Sequence, residues 1–233
     1  MSRPHPAVWL RDEPPPRRPR LTRERITEAA VALLDAEGVP GFSMRRLAAR
    51  LGAGTMSLYE YVPAKEDLFD LALDTVMAEI DLPEPATARP PDWRAELTRQ
   101  AVQSRRVMRR HPWMTELIGT RPLLGPNALS RSERFHAALA AAGFAGAELV
   151  AAAGAVSSYV HGYVVTENVW RTRMRDPAEE RELRRRAQEY LAGESGRYPV
   201  LSEHSRLEDA DFDAGFRSGL EIVLDGIAAR LTR

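Results

Sequence analysis

The chain has 233 residues and balances 33 Lys and Arg against 33 Asp and Glu, a formal net charge of zero that argues against bulk attraction to nucleic acid. At roughly 150 residues per domain the length suits one or two domains with a self-sufficient core, and the absence of cysteine excludes thiol catalysis, thiolate metal sites and disulfides together. Pro4 and Pro6 interrupt the first ten residues, and no run approaches the roughly 20 uninterrupted apolar residues of a membrane helix, so the expectation is a soluble, cytoplasmic protein with no membrane partner.

Residues 1–20 read as a disordered, basic and Pro-rich arm, because Pro14, Pro15 and Pro16 forbid helix and Arg17, Arg18 and Arg20 follow them. Charge is uneven along the chain: the first 50 residues hold ten basic and six acidic side chains, a net of +4, which leaves the remainder at −4. Lys65 is the only lysine. From Thr22, an N-cap, the residues Ile26, Ala29, Ala30, Leu33 and Leu34 form an apolar stripe that stops at Gly38. Ser43 caps a short helix carrying Met44, Leu47, Ala48 and Leu51 up to Gly52, and Thr55 can cap a third with Met56, Leu58, Tyr59 and Val62. Pro63 closes that helix and opens the next, which runs through Leu68, Phe69, Ala72 and Val76 to about Ile80. Four prolines in residues 81–92 mark a junction.

Beyond the junction every segment reads as helix. The spacing predicts one from Trp93 to His111-Pro112, a short one over Trp113–Ile118, one over Asn127–Ala142, and a long one from Gly146 or Ala147 through Val164. An exposed helix around Glu179–Tyr190 with a mobile loop follows, then a final helix over Asp211–Leu231. No strand-type alternation occurs, so the fold class is all-α, with proposed boundaries at 21–66, 67–92 and 93–233 after the arm.

Two short helices joined by a Gly-containing turn are a helix-turn-helix, whose second helix enters the major groove of DNA. Small Ala48 and Gly52 let the helices approach, and Leu47, Leu51, Leu58 and Val62 set their angle. Thr55, Ser57, Tyr59, Glu60 and Tyr61 then project outward, where hydroxyls reach phosphates or base edges and rings lie against thymine methyls or sugars. Arg45, Arg46 and Lys65 open the flanking helices as phosphate contacts.

Residues 21–69 resemble the DNA-binding domain of the TetR family of transcriptional repressors, through Leu51-Gly52, Leu58-Tyr59, Tyr61-Val62, Lys65 and Leu68. The resemblance implies that Thr55, Met56, Ser57, Tyr59 and Tyr61 face the groove while Arg45 and Lys65 meet the backbone. Glu60 departs from this, since an acid there repels phosphate unless it pairs with an arginine or reads a cytosine amino group. The region beyond the junction is similar to the ligand-binding and dimerisation domain of the tetracycline-repressor branch, through Asp92-Trp93, His111-Pro112-Trp113, Gly119-Thr120-Arg121-Pro122 and the helix around Phe216–Ile227. Leu117 stands where tetracycline-binding members carry a magnesium-ligating histidine, which argues against the metal-dependent mode.

The resemblance implies a three-helix N-terminal DNA-binding domain followed by a helical bundle that binds a ligand and dimerises through its long and final helices. Trp93, Met108, Trp113, Phe135, His136, Tyr159, Tyr163 and Glu167 are the candidate effector lining, although aromatic and Met residues at helical spacing are more often plain core. His111, His136 and His161 recur every 25 residues, which matches no metal-ligand pattern. The resulting expectation is a homodimeric, ligand-responsive repressor of a palindromic double-stranded DNA operator, released by a small hydrophobic or amphipathic effector, with no cofactor or metal. The rivals are an activator or ligand-independent regulator and a small helical enzyme; the last has no Cys, no Gly-rich phosphate loop and no His–carboxylate pair at ligand spacing.

Overall fold

Side-chain caps mark where the first helices begin. In the computed structural model, which describes residues 21–81 and 92–231, the amide of Arg25 donates to Thr22 Oγ1 at 3.2 Å and that of Arg46 to Ser43 Oγ at 3.3 Å. These caps open α1 (Arg23–Gly41) and α2 (Met44–Leu51). The arginines of the arm and the prolines of the junction lie outside the described residues. The other helices are α3 (Thr55–Tyr59), α4 (Lys65–Met77), α5 (Trp93–Arg110), α6 (Met114–Ile118), α7 (Pro126–Ala141), α8 (Gly146–Arg173), α9 (Pro177–Gly193), α10 (Pro199–His204) and α11 (Phe212–Leu231), with no strand among the described residues.

Several boundaries differ from the sequence expectation for local reasons. Gly38, at φ 67°, breaks α1 where expected, but the chain resumes a last turn through Pro40 to Gly41. Gly54, not Thr55, sits at the N-cap of α3 and contributes no side-chain bond. α4 starts at Lys65 rather than Pro63, with Glu66 and Asp67 in its first turn where the helix dipole favours acids, and it ends at Met77 rather than Ile80. Pro126 opens α7, since a first-turn proline needs no amide partner. The stretch expected as a mobile loop after α9 contains a further helix, α10, opened by Pro199.

In the N-terminal unit α1 packs on α2 and α4, and α2 on α3, around fully buried Ile26, Leu34, Leu47, Leu58 and Leu68. In the C-terminal unit α8 is the centre, packed against α5, α7 and α11. Among the described residues α8 alone is long and apolar enough to cross a membrane. Its packing within this chain instead buries Val156, Val160 and Val164.

Glu167 shows what fastens α8. It is fully buried, and Arg105 on α5 grips it with two bonds, Nε at 2.8 Å and Nη2 at 3.0 Å, while Arg109 and Arg171 approach the same carboxylate at 3.3 and 3.0 Å. Arg105 also meets Asp213 on α11 at 2.6 Å, which holds the Asp213 carboxyl below its ordinary range. Tyr159 donates to the carbonyl of Phe216 at 2.9 Å and Tyr163 to that of Phe212 at 2.8 Å. Burial raises both phenol pKa values, so these hydroxyls stay protonated as donors. The three residues therefore pin α8 to α5 and α11. Glu167→Ala leaves Arg105 with Asp213 alone, so unfolding in denaturant at neutral pH should show a loss near the lower end of the roughly 3–5 kcal/mol typical of a broken buried pair.

Candidate functional site

The candidate DNA-reading face follows from how α3 buries its inner side. Leu58 and Val62 are fully buried, which turns Met56 (76% exposed), Tyr59 and Glu60 outward, with Thr55, Ser57 and Tyr61 half-buried beside them. Arg45 is exposed on α2, but Arg46 turns back to pair with Glu37 and to donate to the Gly41 carbonyl at 3.0 Å. Lys65 is held from below. Its ammonium lies 5.0 Å over the Phe69 ring and 5.6 Å from that of Phe42, and it donates to the Phe42 carbonyl at 3.4 Å. Lysine carries three donors, so two remain for a phosphate.

A second set of contacts joins this unit to the bundle. At the corner between α5 and α6, buried His111 places Nδ1 2.6 Å from Asp35 Oδ1 on α1 and Nε2 3.2 Å from Glu79 Oε2 beyond α4. Trp113 donates through Nε1 to the same Asp35 oxygen at 2.7 Å. At the start of α7, Asp74 on α4 accepts from the amide of Ala128 at 2.9 Å and from Asn127 Nδ2 at 3.0 Å. Gly125 lies so close to Asp74 that an added Cβ would overlap its carboxyl group. Arg121 spans the same seam, donating to Asp70 at 2.5 Å and to the Glu66 carbonyl at 2.7 Å.

Between α4, α5, α7 and α8 lies a cavity of about 150 Å³, whose lining includes Met77, Gln100, Leu123, Arg131, Phe135 and His136. Of the residues expected to line an effector site, Phe135 and His136 are here. Trp113 is instead 2% exposed in the α1–α6 seam, and Tyr159, Tyr163 and Glu167 are the pins of α8. Met108 is buried within α5, its carbonyl accepting from Asn168 Nδ2 at 3.2 Å, and Trp93 is half-buried at the start of that helix. Gln100 and Arg131 also line it, outside the expected set. Gln100 falls seven residues after Trp93 on the apolar stripe of α5, and a polar residue on such a stripe is the signal that could have found it. Its neighbour Glu96 is also buried; burial raises the carboxyl pKa, but bonds from Arg134 at 2.6 Å and Gln100 at 3.0 Å outweigh this and hold it low.

Two family models match along the chain: residues 26–72 match the bacterial regulatory proteins of the tetR family, and residues 84–231 match the tetracyclin repressor-like C-terminal domain. The chain belongs to the TetR family. An HTH-type transcriptional regulator of Saccharopolyspora erythraea is 44% identical over 96% of this TetR-family chain and 92% of its own length. The repressor DrrR1 of Streptomyces coeruleorubidus is 41% identical over 90% of this chain and 78% of its own. Among solved structures, the TetR-family protein ActR of Streptomyces coelicolor in complex with actinorhodin matches at a TM-score of 0.79 and 28% identity, covering 92% of this chain and 100% of that one. The protein is thus a DNA-binding transcriptional regulator with a TetR-type ligand-binding domain. Its α4–α7 seam depends on a side-chain cap supplied from another helix. Asp74→Ala should accordingly fray the first turn of α7 at a cost of about 0.5–2 kcal/mol, read as faster hydrogen exchange at the Ala128 amide.

Proposed function

We propose that the protein is a homodimeric repressor that binds a palindromic double-stranded DNA operator in the cytoplasm and releases it when a small amphipathic effector enters the cavity between α4, α5, α7 and α8. The observation that carries this reading is the span of α4. It begins at Lys65, just past the recognition helix α3, and ends at Met77 in the cavity wall, about 20 Å away at 1.5 Å per residue. A ligand that favours a wider cavity displaces the Met77 end, and a rigid helix carries that displacement to the DNA-reading unit. Residues 21–66 read DNA, residues 67–92 transmit, and residues 93–233 bind the effector and dimerise. The repressor name of DrrR1 and the solution of ActR with actinorhodin support the ligand-responsive form of this reading.

On the operator, Thr55, Met56, Ser57, Tyr59 and Tyr61 meet the groove while Arg45 and Lys65 hold phosphates. Dimerisation uses α8 and α11, which leave Ala151, Ala155, Gly226 and Ile222 along one apolar groove, with Ile222 72% exposed. A second copy covers it in a four-helix arrangement, and its two-fold axis sets the two α3 helices one DNA turn apart or a multiple of it.

Binding to the promoter region of the protein's own gene, followed by fluorescence anisotropy against salt, tests the reading. Ser57→Ala and Tyr59→Ala should relax sequence preference; Arg45→Ala and Lys65→Ala should each weaken all sequences alike and reduce the salt slope by about one. Absence of operator binding at low salt overturns it, and a reporter that falls when the protein is removed makes it an activator. Ile222→Glu should yield monomers by sedimentation and lose operator affinity.

A further inference from the structure

Arg94, Arg105, Arg121 and Arg134 in the bundle each pair with a carboxylate, but Arg131 does not. No acid pairs with it among the described residues, and its Nε is shut off from solvent with no acceptor. Of its five N–H donors, one meets Ser104 Oγ and another the Met77 thioether at 3.7 Å, a weak acceptor. The same cavity holds a second orphan. Gln100 is fully buried and donates through Nε2 to Glu96 at 3.0 Å, leaving Oε1 without a donor. Burial with nothing to offset it pushes the Arg131 guanidinium down to about 10, still charged at neutral pH. Unpaired buried polar groups cost stability, and native proteins tolerate them at functional or strained sites.

We infer that the effector enters this cavity with an aromatic head bearing an acidic oxygen, a carboxylate or ionised phenol, beside a hydroxyl. Arg131 holds the anion and Gln100 Oε1 accepts from the hydroxyl. This deepens, and rests on, the reading of the cavity as the effector site. A cationic donor and a neutral acceptor lining one cavity are complemented by an oxygen anion and an adjacent O–H. Leu123, Ala128 and Phe135 supply apolar walls for the ring. A volume of about 150 Å³ matches a single ring, since apolar cavities of that size accept benzene.

Calorimetric titration of the full-length chain with 2-hydroxybenzoate, with its neutral counterpart 2-hydroxybenzamide and with benzoate tests the inference. The acid should bind at least about tenfold more tightly than the amide, and Arg131→Met should erase that ratio. Gln100→Leu should erase the preference for 2-hydroxybenzoate over benzoate. Arg131→Met should also leave the thermal midpoint unchanged or raise it, because an unpaired, partly desolvated charge is removed; a structural guanidinium would lower it. No binding of 2-hydroxybenzoate, or a ratio indifferent to Arg131→Met, overturns the acidic head. If the amide still binds and Phe135→Ala abolishes that binding, the cavity remains the effector site and only the head-group chemistry falls. If neither compound binds, both readings fall.

Discussion

The two sides of α4 belong to different cores. Leu68, Phe69, Ala72 and Leu73 are buried where α4 packs on α1, while Asp70, Asp74 and Met77 meet Arg121, the start of α7 and the cavity. A helix closed in on both sides cannot shift against one neighbour without disturbing the other, because protein interiors are packed at crystal-like density. Every contact across the seam reinforces that constraint. Asp35 receives Trp113 and faces His111, Glu79 meets Arg110, and the Asp74 cap fixes the spacing to α7. The DNA-reading unit and the bundle are therefore mechanically one body through α4, whatever the composition of the chain between 82 and 91.

Electrostatics divides the bundle into completed and uncompleted sites. Glu167 and Glu96 are buried acids surrounded by guanidinium groups, so their desolvation is offset and they serve as rivets. Gln100 and the Nε of half-buried Arg131 lie at the other extreme, shut off from solvent with valences left open. The contrast separates architecture from recognition more cleanly than residue type does, since all four are polar side chains on helices.

Much of the DNA-reading unit was legible because its signals are local. Thr22 and Ser43 cap as expected, Gly38 and Gly52 take positive φ, and the alternation of Leu58 and Val62 with Met56 and Tyr59 sets which face of α3 is free. The bundle was legible as helices but not as a site. Tyr159, Tyr163, Trp113 and Glu167 share the aromatic and amphipathic character of pocket residues, and only the neighbours brought by the fold show that their polar tips bond to backbone, to the Asp35 carboxylate or to arginine. Helical period places a residue on a face, whereas which other helix covers that face is a long-range fact. Residues 171–206 illustrate the same limit: α9 buries none of its residues, so no apolar stripe marked its ends; the Asp176 cap opens it, and Arg–Glu pairs at i, i+3 and i+4 line its middle.

Gly125 gives the seam a direction. With the Asp74 carboxyl already in contact where a side chain would begin, the gap between α4 and the start of α7 has no slack for compression. Separation is opposed by hydrogen bonds, an ion pair and apolar contacts that can break and re-form, whereas approach is opposed by hard overlap. The joint therefore behaves as a one-way stop: thermal or ligand-driven motion at this point opens the angle between the two helices, and the closed spacing is the reference against which any opening is measured.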